Sequence, residues 1–179
     1  MKQFSEYISN LRKQRHDFMN DIQVIYGYLQ LEREEQAKKY IEVMIKQNEQ
    51  ISSIYALGDE HFGFFIENVL KDLKNREIEL DINIEINEFS KKVFASEYNK
   101  KIDLVNNIFN ELENNKCKFI YIYIFEDELG QSLLIANNEL AADELEWMEE
   151  WKKIDLNIND INLYKYIFNN EYAYRLTFV

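Results

Sequence analysis

The chain has 179 residues, 46% of them hydrophobic, and a formal net charge of −12. The length and apolar content allow a packed core in one large or two small domains and argue against wholesale disorder. The acidic balance argues against nucleic acid as the main partner, and the longest apolar run, residues 119–125, is far shorter than the roughly 20 residues of a membrane span.

The cysteine and glycine content further restricts the expected location of the protein and the kinds of binding site that it contains. With Cys117 as the sole cysteine no internal disulfide forms, and the first twenty residues lack the apolar core of a signal peptide, so we expect a cytoplasmic protein. There is no proline, and the four glycines are scattered. Phosphate-cradling loops and dinucleotide fingerprints need clustered glycines, so neither is expected here.

The first element is a predicted helix over 2–31, followed by a second over 34–56. Apolar residues recur in steps of three, four or seven at Phe4, Ile8, Leu11, Phe18, Ile22, Ile25 and Leu29, with a gap at Arg15. The second helix repeats the rhythm at Ala37, Ile41, Met44, Asn48, Ile51 and Tyr55. The short connection predicts an antiparallel hairpin, and its apolar seams predict a homodimer with a four-helix bundle formed by residues 1–57.

Residues 58–63, which contain Gly58, His61 and Gly63, are expected to be a linker, and residues 64–179 to form a second domain. Its predicted elements are helix 64–75, strand 77–86, helix 99–115, strands 119–125 and 132–136, an acidic helix 140–152, and a closing hairpin of 163–168 and 172–179 around Asn169–Asn170. The expected fold class is α+β, an α/β sandwich with helices on one face of a mainly antiparallel sheet.

The triplet Arg15-His16-Asp17 lies in the middle of the first helix. Helical spacing places His16 on one face with Arg12, Met19, Asn20, Gln23 and Gly27, beside the apolar seam. Taken alone, an isolated helical histidine is most often an ordinary surface residue. A metal site needs further His or Cys at ligand spacing, and a Cys–His pair is not indicated because Cys117 and His61 lie in different elements.

The segment "LRKQRHDFMNDIQVIYGYLQL" closely resembles the phosphoacceptor segment of the sporulation initiation phosphotransferase B family and of citrate-type sensor kinases. The shared residues are Arg15-His16-Asp17, Phe18, Asn20, Gln23, Gly27 and Leu29. The length, the hairpin and the following α+β domain resemble that phosphotransferase over nearly the full chain. The resemblance implies that His16 is the phosphorylated residue, in a phosphorelay that controls sporulation.

The residues around His16 are expected to support phosphoryl transfer. Asp17 or a backbone carbonyl orients the ring, and Asn20 hydrogen-bonds the transferring group or a water. Arg12 and Arg15 neutralise phosphoryl charge or bind an acidic partner. Met19, Gln23 and Gly27 complete the partner-binding face, where a glycine permits close approach. For each flanking residue, simple solvation or helix support is the alternative.

The second domain decides between a kinase and a phosphotransferase. Histidine kinases bind ATP through an asparagine-bearing helix and glycine-rich boxes; residues 102–115 resemble that helix, with Glu111 or, in a register shifted by one, Asn110 at the metal-binding position. The glycine boxes are missing. We therefore expect a degenerate ATPase-like domain and no cofactor of its own, with Mg²⁺ supplied by the receiver domains of two response regulators. The alternatives are a soluble citrate-type sensor kinase and a non-catalytic dimeric adaptor that binds receiver domains.

Overall fold

The computed structural model describes residues 2–179, without the side chains of residues 2–7, Asn10, Glu146, Trp147 and Phe168. The chain divides into two compact units, Met1–Glu49 and Gln50–Val179. In the part of the chain that is described, no helix is both long and apolar enough to cross a membrane.

The first unit is a helical hairpin. Helix α1 spans Lys2–Gln30 and helix α2 spans Glu34–Ala56, in agreement with the sequence prediction. The connection is tight, and Glu32 adopts a positive φ of 57° to reverse the chain. Helix α2 continues past Glu49 into the second unit.

Among the described residues, Tyr40 joins the two helices of the hairpin. Tyr40 of α2 donates a hydrogen bond to Asp21 Oδ1 of α1 at 2.6 Å, and its ring packs at 6.5 Å from that of Tyr28. Ala37 is the one buried residue among the described side chains of this unit. Most of the predicted α1 seam stays exposed in the single chain, at Leu11, Phe18, Ile22 and Leu29, whereas Ile8 and Ile25 are half-buried. Phe4 lies outside the described side chains.

The second unit contains the remaining elements. Its helices are α3 (Glu60–Asn75) and α4 (Tyr98–Asn114), with 3₁₀ turns at Val93–Ala95 and Glu139–Glu150. Its strands are β1 (Glu79–Ile84), β2 (Phe119–Asp127), β3 (Gly130–Ala136), β4 (Lys152–Ile154), β5 (Ile161–Phe168) and β6 (Glu171–Phe178). The strand β4 was not predicted, because its three residues carry no alternating pattern.

The six strands form one mixed sheet in the order β1-β2-β3-β6-β5-β4. Strand β1 pairs with β2 in parallel, with Glu79 opposite Phe119, and every other pairing is antiparallel. The α+β class is confirmed. The closing hairpin is also confirmed: Asn169 and Asn170 both have positive φ, of 47° and 67°, which suits the strand twist of a two-residue turn.

The sheet has an apolar core on each face, which differs from the prediction of helices on one face only. Helices α3 and α4 pack with the larger core, around residues such as Phe62, Leu112, Ile122 and Leu176. The smaller core lies on the opposite face, where Tyr121, Phe125 and Leu134 meet the segment Glu139–Glu150. We predicted an α-helix over 140–152. The observed 3₁₀ winding, with three residues per turn, instead aligns Ala142, Leu145, Met148 and Trp151 along one side against the sheet.

Residues 58–63 differ from the predicted linker. Helix α3 begins at Glu60, four residues before the expected start, because Asp59 acts as its N-cap and accepts hydrogen bonds from the backbone N–H groups of His61 and Phe62. The other Asp59 oxygen accepts from the N–H of Phe94 at 2.8 Å, and the carboxylate is fully buried. Of the predicted linker 58–63, only residues 58 and 59 therefore lie outside a helix.

Candidate functional site

The candidate site lies on α1, fourteen residues into a 29-residue helix. At about 100° per residue, Gln23 and Gly27 lie within about 20° of His16 around the axis, Arg12 and Asn20 within about 40°, and Met19 within about 60°. These side chains are exposed, apart from Gly27, which is half-buried. The helix thus presents an imidazole flanked by a cation, two amides and a thioether.

Among the described residues, Asn20 and Asp17 approach the imidazole of His16, both at Nδ1. The amide Nδ2 of Asn20 lies 3.2 Å from Nδ1, and Asp17 Oδ1 lies 3.6 Å from the same nitrogen. The histidine side chain is 74% exposed. Neither contact involves Nε2, so this nitrogen is open to a reagent approaching from solvent.

Arg12 and Arg15 lie on different faces of α1. Arg12, one turn before His16, lies on the same side of α1. Arg15 is about 100° away, in line with the exposed apolar residues Leu11 and Phe18. Helical geometry therefore makes Arg12 the nearer source of positive charge for a group bound at His16.

The hydrogen bond between Tyr40 and Asp21 lies on the side of α1 that faces away from His16. The hydrogen bond to the Asp21 carboxylate raises the pKa of Tyr40 to about 12, with burial as a smaller cause. Sequence reasoning missed this pair, because 19 residues separate its members and neither breaks the apolar rhythm. The pair holds α2 against a side of α1 distant from His16, which leaves the imidazole uncovered by α2.

The helix that resembles a nucleotide-binding helix is α4, and its Glu111 is already ion-paired. Lys165 of β5 donates to Glu111 Oε1, and its ammonium lies 5.2 Å from the centre of the Tyr174 ring. Burial is the largest single influence on Glu111 and opposes its charge, but the hydrogen bond from Lys165, the Tyr174 hydroxyl and the positive charge of Lys165 together lower the carboxyl pKa. Asn110 is exposed. A surface cleft of about 460 Å³ in this unit is lined by Glu85, Glu88 and Glu126, whose charge disfavours a triphosphate.

A second pair of residues that sequence reasoning missed joins α2 to α3. The Tyr55 hydroxyl donates to Glu67 Oε2 at 2.7 Å, and the Tyr55 ring lies against Gly63 so closely that an added Cβ would meet it at 2.7 Å. Burial and the Glu67 bond raise the pKa of Tyr55. Of the two glycines in "LGDEHFG", Gly63 therefore marks close packing against Tyr55, whereas Gly58 has a positive φ of 82°.

His61 takes no part in the site. It stands in the first turn of α3, where its ring meets Tyr98 edge-on at 5.5 Å. Over the described residues, no group of three His, Cys, Asp or Glu side chains has the arrangement of a metal site.

Comparison with known proteins identifies the hairpin. Residues 1–57 match the family model of the sensor kinase SpoOB-type alpha-helical domain, which confirms the predicted resemblance for this third of the chain. No match is found among curated proteins. Among solved structures, the Acinetobacter baumannii histidine kinase AdeS is similar over 91% of this chain and 96% of its own, with a TM-score of 0.41 and 9% identity. The family model thus makes the hairpin similar to a sensor-kinase helical domain, whereas the ATPase-like origin of the second unit stays a prediction.

Proposed function

We propose that the protein is a phosphotransferase of a His–Asp phosphorelay. His16 takes the phosphoryl group from the aspartyl phosphate of one receiver domain and passes it to the aspartate of a second. The observation that carries the proposal is the 74% exposed imidazole, whose recorded contacts are all at Nδ1, on a hairpin that matches a sensor-kinase helical domain.

The transfer is balanced without any co-reactant. The Nε2 lone pair attacks phosphorus, the bond from phosphorus to the donor's carboxylate oxygen breaks, and the carboxylate leaves with the electron pair. The proton stays on Nδ1. The second aspartate then attacks the phosphorus, and the Nε2–phosphorus electron pair returns to the ring. Such transfers pass through loose transition states, so the protein contributes mainly position and charge.

Attack by Nε2 requires the proton on Nδ1, and the two neighbours of His16 act at that atom. The Asp17 carboxylate, 3.6 Å away, favours a protonated Nδ1. The Asn20 amide faces Nδ1 with its nitrogen; a half-turn about its terminal bond presents Oδ1 as an acceptor for Nδ1–H. Asp17 and Asn20 are thus positioning residues for the reactive tautomer, in addition to the role of Asn20 toward the phosphoryl group.

The partner surface follows from the residues around His16. Arg12 is placed to neutralise phosphoryl oxygens, and Arg15 is retained as a second candidate. Met19, Gln23 and Gly27 continue the same face for contact with a receiver domain. The divalent cation, Mg²⁺, is supplied by the receiver and not by this chain. We further propose a cytoplasmic homodimer through the exposed seam and, from the family resemblance, sporulation control as the output.

The decisive experiment follows the label through the relay. The intact protein is incubated with a receiver domain phosphorylated on aspartate, and a second receiver is then added. We expect an acid-labile, base-stable label on this protein that moves to the second receiver. His16→Gln should reduce transfer at least a thousand-fold, because the nucleophile is lost, whereas His61→Gln should transfer normally. Transfer by His16→Gln at the wild-type rate would refute the proposal.

Two further arms separate the alternatives. Incubation with Mg²⁺ and ATP tests the sensor kinase, and we expect no labelling, since Glu111 is engaged by Lys165. Receiver binding without any phosphohistidine would favour the adaptor. Asn20→Ala should slow transfer about tenfold to a hundredfold without abolishing it, because it removes positioning and not the nucleophile.

A further inference from the structure

The exposed stripe of the hairpin contains one polar position on each helix. On α1, Arg15 stands four residues after Leu11 and three before Phe18, which are 39% and 57% exposed. On α2, Asn48 stands seven residues after Ile41 and three after Ile45, which are 39% and 51% exposed. Each polar side chain therefore interrupts an apolar stripe at a single point.

The two interruptions lie within about one and a half helical turns of each other along the hairpin axis. Tyr40 contacts both Asp21 and Tyr28, which fixes the antiparallel register. Arg15 lies six residues before Asp21, and the position six residues after Tyr40 is Lys46. Arg15 also lies 13 residues before Tyr28, and the position 13 residues after Tyr40 is Ser53. The position on α2 that faces Arg15 therefore lies between these two residues. Asn48 falls within this window, so it lies less than about 8 Å from Arg15 along the axis, at 1.5 Å per residue.

We propose that Arg15 and Asn48 form a polar layer across the interface between two copies of this chain. The inference rests on the proposed homodimer, with its two-fold axis parallel to the helices. In this arrangement the guanidinium of Arg15 donates to Oδ1 of the partner's Asn48. The Asn48 amide already donates its Nδ2 to the Met44 carbonyl at 2.9 Å, which leaves Oδ1 as the acceptor.

A second copy is the occupant that the chemistry of the stripe favours. Residues 1–49 hold eight basic and eight acidic residues, so the hairpin segments of two copies meet without net repulsion. The apolar residues above and below the layer occur on both helices, as a self-complementary surface requires. A single polar layer in an apolar helical interface lowers stability but fixes register and oligomeric state, because any other alignment leaves the polar groups unpaired.

This placement gives Arg15 a role separate from the transfer chemistry. If Arg15 acts in the interface, its replacement by leucine should alter the assembly of the chain more strongly than the rate of phosphotransfer. If it neutralises phosphoryl charge at His16, the replacement should slow transfer and leave assembly unchanged. The two roles therefore predict opposite patterns for one substitution.

The test compares Arg15→Leu with Lys13→Leu, a matched exposed cation that lies off the stripe, by sedimentation equilibrium of the full chain. Arg15→Leu should lower the dimer dissociation constant at least tenfold or generate larger oligomers, and Lys13→Leu should stay within about twofold of wild type. An Arg15→Leu protein with the wild-type dissociation constant would overturn the polar layer, and more so if phosphotransfer alone were lost.

Cross-linking tests the geometry directly. In a Cys117→Ser background, a chain with Arg15→Cys is mixed with a differently tagged chain carrying Asn48→Cys and is oxidised. We expect a covalent heterodimer, and none when Lys13→Cys replaces Arg15→Cys; equal yields from both would refute the layer. A wild-type dimer that relays phosphate but fails these tests removes only this inference. A monomeric wild type removes the dimer, and the His16 assay still decides the function.

Discussion

The two units of the chain differ in where their stability and charge reside. Of 21 basic and 33 acidic residues, eight of each lie in residues 1–49, which leaves 13 basic and 25 acidic residues, and so the whole net charge of −12, in the second unit. The second unit encloses two apolar cores, whereas the described side chains of the first contain a single buried residue, Ala37. A neutral hairpin with an exposed apolar stripe is suited to association, and an acidic unit with its own core to independent stability.

The largest expected effect tests the hairpin's dependence on association. Phe18 is 57% exposed in the single chain, so its truncation removes little packing there. If a second copy covers it, Phe18→Ala should cost about 2 kcal/mol in each protomer, and the dimer dissociation constant should rise by two to three powers of ten. Sedimentation equilibrium measures this. An unchanged constant would contradict burial of the stripe, and thermal unfolding of the second unit should stay unchanged.

The next effect tests the second unit's own core. Arg175 is fully buried, makes a two-pronged pair with Asp127, and also donates to Ser132 and Thr177. Arg175→Met should lower the free energy of unfolding by about 2 to 4 kcal/mol, less than for a fully buried pair, because Asp127 is 36% exposed. Denaturant unfolding measures it, with Lys153→Met, an exposed cation over Tyr164, as the control. Equal stability of the two variants would contradict this role of the buried network.

The difference between local patterns and tertiary contacts explains which features the sequence could predict. The boundaries of α1 and α2 and the turn at Asn169–Asn170 followed from local patterns, namely heptad spacing and residues that tolerate positive φ. The exposed face around His16 followed from helical periodicity alone. The contact of Asp59 with Phe94 and the roles of Gly63 and Lys165 could not be assigned in this way, since the partners Phe94, Tyr55 and Glu111 lie 35, 8 and 54 residues away. These structural roles depend on tertiary contacts.

A smaller effect is expected at Gly63, where the second unit is tightly packed. An alanine Cβ would lie 2.7 Å from the Tyr55 ring, so Gly63→Ala should destabilise the unit by about 1 to 3 kcal/mol. Removing the ring should relieve the clash, so Gly63→Ala should cost less in a Tyr55→Ala background. A double-mutant cycle in denaturant measures the coupling. Additive effects would show that the clash relaxes without involving Tyr55.

The smallest effect is expected at Gly27, where the same substitution should have the opposite sign. No atom lies within 4 Å of a Cβ added there, and the position is helical, so Gly27→Ala should stabilise the hairpin by up to about 1 kcal/mol. Yet Gly27 lies on the His16 face, where we propose that a receiver domain approaches closely. A thermal melt of the full chain should then show a higher midpoint for the hairpin transition, while the rate of phosphotransfer falls because the added methyl group obstructs the partner. A stabilised hairpin with unchanged transfer would remove Gly27 from the partner surface, and a destabilised hairpin would mean that α1 is packed at this position in the assembled protein.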